Sequence, residues 1–173
     1  MTQLGKTGFD MAIKNNFFDK ETYSKICKDV IEQKTLTKNI GLESDITKNI
    51  DLQGKLAKKI IENVDVFFNY KIKKISSLMT TLTANSPLFS PHVDLSDDTK
   101  AQIIVFILGK KDKNSGTGFY LQENFRSKDT SPIDIIGFHN NKAIFFNSIM
   151  PHAPTHYSQE QGLWRYSLLC SFK

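Results

Sequence analysis

The order of hydrophobic periodicities along the 173 residues predicts an α+β domain built on a β-sandwich or barrel. Two observations carry this. Apolar residues recur at helical spacing in two stretches of the first 70 residues, and from residue 72 onward the signal changes to short β-type runs. The length supports one domain, residues 1–173, with 1–70 as mostly helical support and 72–173 as the β-sandwich core.

Residues 1–18 read as a strand or extended lead-in closing on Phe17 and Phe18. Asp19 is a plausible N-cap, and Tyr23, Ile26, Cys27, Val30 and Ile31 then recur at i, i+3, i+4, i+7 and i+8, an amphipathic helix of about four turns. The polar stretch across 35–50 repeats Thr37-Lys-Asn-Ile40 as Thr47-Lys-Asn-Ile50, too little for a solenoid, and is read as a loop near the site mouth. A second helix is expected over 51–69, with Leu52, Leu56, Ile60, Val64, Phe67 and Phe68 on one side. Strands are expected at 72–83, 88–94, 101–109, 117–123, 132–138, 142–148 and 163–172.

Composition bounds the function. Hydrophobic residues make up 39% of the chain, and no stretch approaches the ~20 apolar residues of a membrane span. The first residues lack the charged-then-apolar design of a signal peptide, and Cys27 and Cys170 fall on apolar faces as reduced core residues; a cytoplasmic protein is expected, without a membrane partner. The net charge of +5 is concentrated on the helices, as at Lys55, Lys58, Lys59 and Lys71, Lys73, Lys74, where solvated faces explain it better than a nucleic-acid groove.

The chemistry-bearing residues are few. In a strand or strand end, His92 and Asp94 at i and i+2 point to one face while Val93 turns away, so both can grip one ion. A second imidazole must come from His139, His152 or His156. His139 sits in Gly137-Phe-His-Asn-Asn141, which reads as an exposed hairpin turn with asparagines suited to positive φ; His152 and His156 stay as candidates. Two imidazoles and a carboxylate are the set that holds non-haem Fe(II) by one face and leaves positions open. Of the 23 basic residues, Arg126 and Arg165 are the only arginines, which suggests that position 165 needs a planar fork for a carboxylate. Strand alternation places Arg165, Ser167, Leu169 and Ser171 on one face, and Trp164, Tyr166, Leu168, Cys170 and Phe172 on the other.

In order and spacing, His92-Val93-Asp94, a distal His and Arg165-Tyr166-Ser167 resemble the 2-oxoglutarate/Fe(II)-dependent oxygenases, in the small phage or bacterial, prolyl-hydroxylase-like form. Phe146-Asn-Ser-Ile-Met-Pro-His152 is similar to that family's F-P-S-x-x-x-H, with Asn147 in place of Pro, and favours His152 over His156. Gly116-Thr-Gly-Phe-Tyr120 is similar to its G-G-T-x-F-Y strand, with Ser115-Gly116 where two glycines are usual. The resemblance covers about residues 75–173 well. It implies a double-stranded β-helix, the jelly-roll or cupin-like core, with the N-terminal helices supporting one sheet.

The resemblance further implies His92, Asp94 and His152 as catalytic metal ligands, Arg165 and Ser167 as the clamp for 2-oxoglutarate with Tyr120 added to the co-substrate site, and Fe(II), 2-oxoglutarate and O2 as cofactors. The activity would be a dioxygenase hydroxylating a C–H of a protein side chain, prolyl in type, or of a small molecule. Nucleic-acid demethylases of the superfamily carry a second arginine six residues after the first, where this chain has Ser171, which counts against nucleic acid. Prolyl hydroxylases usually use lysine for 2-oxoglutarate, a departure at Arg165. Two other classes compete: a cupin-like metal-binding protein indifferent to Arg165, and a basic nucleic-acid-binding module whose affinity falls steeply with salt.

Overall fold

The computed structural model describes residues 3–4, 10–39, 46–83, 91–94, 99–121, 131–155 and 165–173. His156, Trp164, Arg126 and residues 88–90 of the expected strand at 88–94 lie outside them; within 91–94 only His92 pairs, as an isolated bridge to His152. The strands are β1 (Gln3–Leu4), β2 (Asp10–Asn15), β3 (Ile46–Asn49), β4 (Ile75–Thr83), β5 (Ala101–Leu108), β6 (Asp112–Phe119), β7 (Asp134–Phe138), β8 (Lys142–Asn147), β9 (His152–Pro154) and β10 (Arg165–Phe172). The helices are α1 (Lys20–Asn39) and α2 (Lys55–Phe68). A large sheet runs β1-β2-β8-β5-β10-β4-β3, a small one runs β7-β6-β9, and the pairings in both are antiparallel.

The continuous apolar run of β5 is explained by burial on both faces. Ile103, Val105 and Ile107 point to the core shared with the helices, where Ile26, Ala57, Ile60 and Val64 meet Tyr166, Leu168, Cys170 and Phe172. Ile104 and Phe106 point the other way, into a second core with Phe119, Ile136, Phe138, Ile144 and Phe146, which joins the two sheets. The expected alternation of the last strand holds: Tyr166, Leu168, Cys170 and Phe172 are buried toward the helices. Cys170 is buried and Cys27 half-buried, both as free thiols.

Asp19 caps α1 as expected, accepting from the Thr22 N–H at 2.9 Å, which holds its carboxyl below the usual range. Phe17 and Phe18 are locked to the hairpin between β7 and β8. Asn141, at φ 60°, accepts from the Phe18 N–H and donates to the Phe18 carbonyl, both at 2.9 Å.

Four expectations need correction. The segment 35–50 is not a loop at either end: α1 runs on to Asn39, and Ile46–Asn49 pairs with Leu82–Met79 of β4, while 40–45 lie outside the described residues. Leu52 precedes α2 and is exposed rather than part of its buried side. The strand expected at 117–123 starts earlier, at Asp112, and ends at Phe119. His139 is half-buried, with its Nδ1 2.9 Å from the Asn140 carbonyl, rather than fully exposed. No helix among the described residues is long and apolar enough to cross a membrane.

Candidate active site

The second core is interrupted on one side by polar residues, and the register explains where. On the inner face of the large sheet, Ser77, Ser171 and Gln102 stand side by side on β4, β10 and β5. Met79, Leu169 and Ile104 form the next row, followed by Thr81, Ser167 and Phe106. Arg165 lies two residues beyond Ser167 on the same face of β10. The inner face therefore carries two polar zones separated by an apolar belt.

His152, the first residue of β9, bridges to His92: each backbone N–H donates to the other's carbonyl, at 3.0 and 2.9 Å. One ladder step thus sets both imidazoles side by side, with ring centroids 4.9 Å apart. Asp94, two residues on, returns to the same face. Its Oδ1 is 3.5 Å from His92 Nε2 and its Oδ2 is 3.7 Å from His152 Nε2. One ligand atom from each of the three residues lies within 4.8 Å of the others. Ligand atoms roughly 2.1 Å from one ion and at right angles to one another lie about 3 Å apart, so the group fits an ion with small side-chain movements.

The tautomer supports the same fit. His152 is packed against Phe146, 5.0 Å between centroids, and is only 4% exposed. Its Nδ1 lies 3.0 Å from the Met150 carbonyl, which can only accept. The ring hydrogen is therefore on Nδ1 and Nε2 keeps its lone pair toward Asp94. Burial pushes the His152 pKa down, with the neighbouring His92 adding to it and the Met150 carbonyl and Asp94 opposing. A neutral imidazole is what a metal needs. His92 and Asp94 are by contrast open to solvent, their side chains 45% and 43% exposed.

A cavity of about 150 Å³ runs from His92 and His152 past Ile104, Phe106 and Leu169 to Thr81, Ser167 and Arg165. Arg165 is 4% exposed. Its guanidinium donates from Nη1 to the Ser115 hydroxyl at 3.0 Å and from Nη2 to the Thr155 carbonyl at 3.3 Å. Ser167 and Arg165 share the wall, as strand alternation predicts. A second cavity of about 680 Å³ opens on the Asp94 side, walled by Ser76, Ser77, Thr99, Gln102 and Ser171 among others. None of the described residues lining it is lysine or arginine.

Tyr120 lies just past β6, buried, its backbone N–H donating to the Pro151 carbonyl at 2.9 Å. It is not among the described residues lining either cavity. Sequence reasoning passed over three residues that touch the site: Ser115 and Thr155, which hold Arg165, and Gln102, which donates to Asp94. Gln102 had a signal, as a lone amide at the head of an apolar strand. Ser115 was marked as the departure from two glycines. Thr155 had none.

Gly116, which lines the smaller cavity, is required by close approach of β6 to β7. A Cβ there would sit 2.0 Å from the Ile136 carbonyl oxygen, a backbone atom with no freedom to rotate away. Gly116→Ala is expected to cost about 3 kcal/mol in urea unfolding, since the two strands must separate to admit the methyl. A loss below about 1 kcal/mol would mean that β7 yields without cost.

No protein-family profile and no curated protein matches the sequence. Solved structures do resemble the fold. A prolyl-4-hydroxylase from Pseudomonas putida aligns over 98% of this chain and 94% of its own, with a TM-score of 0.62 and 12% identity. A viral collagen prolyl hydroxylase from Paramecium bursaria Chlorella virus 1, in complex with 2-oxoglutarate, aligns over 96% and 95%, with a TM-score of 0.59 and 12% identity. An oxidoreductase of the 2OG-Fe(II) oxygenase family from Burkholderia pseudomallei aligns over 99% and 86%, with a TM-score of 0.62 and 11% identity. The fold is thus the double-stranded β-helix of the 2-oxoglutarate/Fe(II) oxygenases, with the helices packed on the outer face of the large sheet.

Proposed function

We propose that the chain is a 2-oxoglutarate- and Fe(II)-dependent dioxygenase that hydroxylates a C–H bond of a neutral substrate, a protein side chain of prolyl type or a small molecule. The observation that carries this reading is the convergence of two imidazoles and one carboxylate, with both imidazoles on the wall of a cavity that also holds a buried arginine and a serine. A metal site alone calls for no buried guanidinium; a site for a dicarboxylate co-substrate does.

In this reading His92, Asp94 and His152 hold Fe(II). Arg165 takes the far carboxylate of 2-oxoglutarate with two parallel hydrogen bonds, and Ser167 adds a third. Ile104, Phe106 and Leu169, between these two ends, exclude water from the methylenes of the co-substrate. When bound, iron and 2-oxoglutarate together supply O2-dependent C–H oxidation, with decarboxylation of the co-substrate to succinate. The protein's own contribution is to orient both and to leave the Asp94 side open.

That open side supports the substrate class. The larger cavity is walled by hydroxyls, an amide and thioether or aliphatic groups. It offers hydrogen bonds to a neutral peptide or small molecule, and among its described lining residues there is no lysine or arginine for a phosphate backbone. Two of the three structures described above are prolyl hydroxylases, which supports the peptide branch.

Anaerobic addition of Fe(II) and 2-oxoglutarate to the metal-free protein tests the reading. A weak visible metal-to-ligand charge-transfer band that requires both additions is the expected result. A metal signal indifferent to 2-oxoglutarate would replace the reading with a cupin-like metal protein, and no binding of either would remove it.

A further inference from the structure

Gln102 has two functional atoms at the candidate metal site with different fates. It is the second residue of β5, is 4% exposed, and donates from Nε2 to Asp94 Oδ2 at 3.0 Å. The same amide group reaches Ser171 Oγ at 3.4 Å. A carboxylate can only accept, so the contact with Asp94 fixes which end of the amide is nitrogen. The other end, Oε1, is then a buried acceptor with no hydrogen-bond partner among the described residues. An unsatisfied buried acceptor costs stability, so folding does not account for this side chain.

We infer that Gln102 is the positioning residue of Asp94: it holds Oδ2 and so leaves Oδ1, 3.5 Å from His92 Nε2, turned to the metal. The inference rests on the iron-site reading above and concerns how that site is kept in shape. The two imidazoles have their own supports, the backbone bridge between His92 and His152 and the Met150 carbonyl on His152 Nδ1. Asp94 lies two residues past the bridge, with a side chain 43% exposed. Its rigidity comes from the large sheet, through an amide that register places beside Ser171 and, across β10, Ser77. A partner that orients a metal-bound carboxylate acts on affinity through geometry rather than through contact with the ion.

This assignment separates metal binding from stability, and in opposite directions. Gln102→Leu removes the unsatisfied acceptor and fills the same space with apolar surface, so the metal-free variant melts at or above the wild-type temperature. Its affinity for Mn(II), titrated as an oxygen-insensitive probe, is expected to fall about 10–100-fold. Affinity for 2-oxoglutarate at saturating Mn(II) stays near wild type, because Arg165 and Ser167 are untouched. Gln102→Asn, one methylene short of Asp94, serves the same test should the leucine variant not fold.

A purely structural glutamine gives the reverse pattern, a lower melting temperature with unchanged Mn(II) affinity, and that result overturns the inference. If wild type binds Mn(II) and 2-oxoglutarate and a folded Gln102 variant does so equally, this inference alone falls. If wild type binds no Mn(II), the iron-site reading falls and takes the inference with it.

Discussion

Alanine at position 94 is expected to abolish metal binding while leaving the fold intact. Asp94 is the one anion among the three converging groups, so its loss leaves two neutral imidazoles to hold a dication. The penalty should exceed the roughly 100-fold that removal of an outer-shell partner can cost. Stability should fall only modestly, by about 1–2 kcal/mol, because the side chain is 43% exposed and packs in neither core, while its loss leaves the buried Gln102 amide with Ser171 alone. Mn(II) titration and thermal unfolding of one preparation separate the two effects. Wild type should melt higher as Mn(II) is added, since the metal binds the folded state alone, and Asp94→Ala should not respond. A variant that still gains stability from Mn(II) would move the ligand set away from this strand end.

The parts of the site that were legible in the sequence are those fixed by local geometry. His92 with Asp94, and Arg165 with Ser167, are pairs at i and i+2, and a strand turns both members to one face whatever surrounds it. The order of helices followed by strands was legible for the same reason: α2 carries its periodicity, and β5 its continuous apolar run, in its own residues. What was not legible depends on neighbours across the sheet. β3, with the sequence Ile-Thr-Lys-Asn, is an edge strand held by backbone bonds to β4, so it shows little of the alternation by which strands are recognised. β9 is three residues long and pairs by register with β6. Ser115 and Thr155 meet Arg165 only once β6 and β9 lie against β10, across sequence separations of 50 and 10 residues.

Changing Arg165 separates the proposed dioxygenase from every metal-only alternative. The guanidinium is 4% exposed and is aimed by Ser115 Oγ and the Thr155 carbonyl, which occupy donors on both terminal nitrogens. Oriented in this way, it can present a fork to a carboxylate in the cavity it shares with Ser167. Arg165→Ala removes the charge and is expected to cost roughly 2–5 kcal/mol of 2-oxoglutarate binding, a fall of about 30-fold or more in affinity. Arg165→Lys is the sharper test, because charge alone survives in it. A lysine ammonium cannot reach Ser115, Thr155 and a carboxylate in one plane, so 2-oxoglutarate affinity should still drop by at least ~10-fold. Mn(II) affinity measured without 2-oxoglutarate should stay at the wild-type value in both variants, since the hydrogen bonds that aim Arg165 run to Ser115 and Thr155 rather than to a metal ligand. Full retention of 2-oxoglutarate binding in Arg165→Ala would leave the buried guanidinium as a strut between β6, β9 and β10, and the chain as a metal-binding jelly roll of another chemistry.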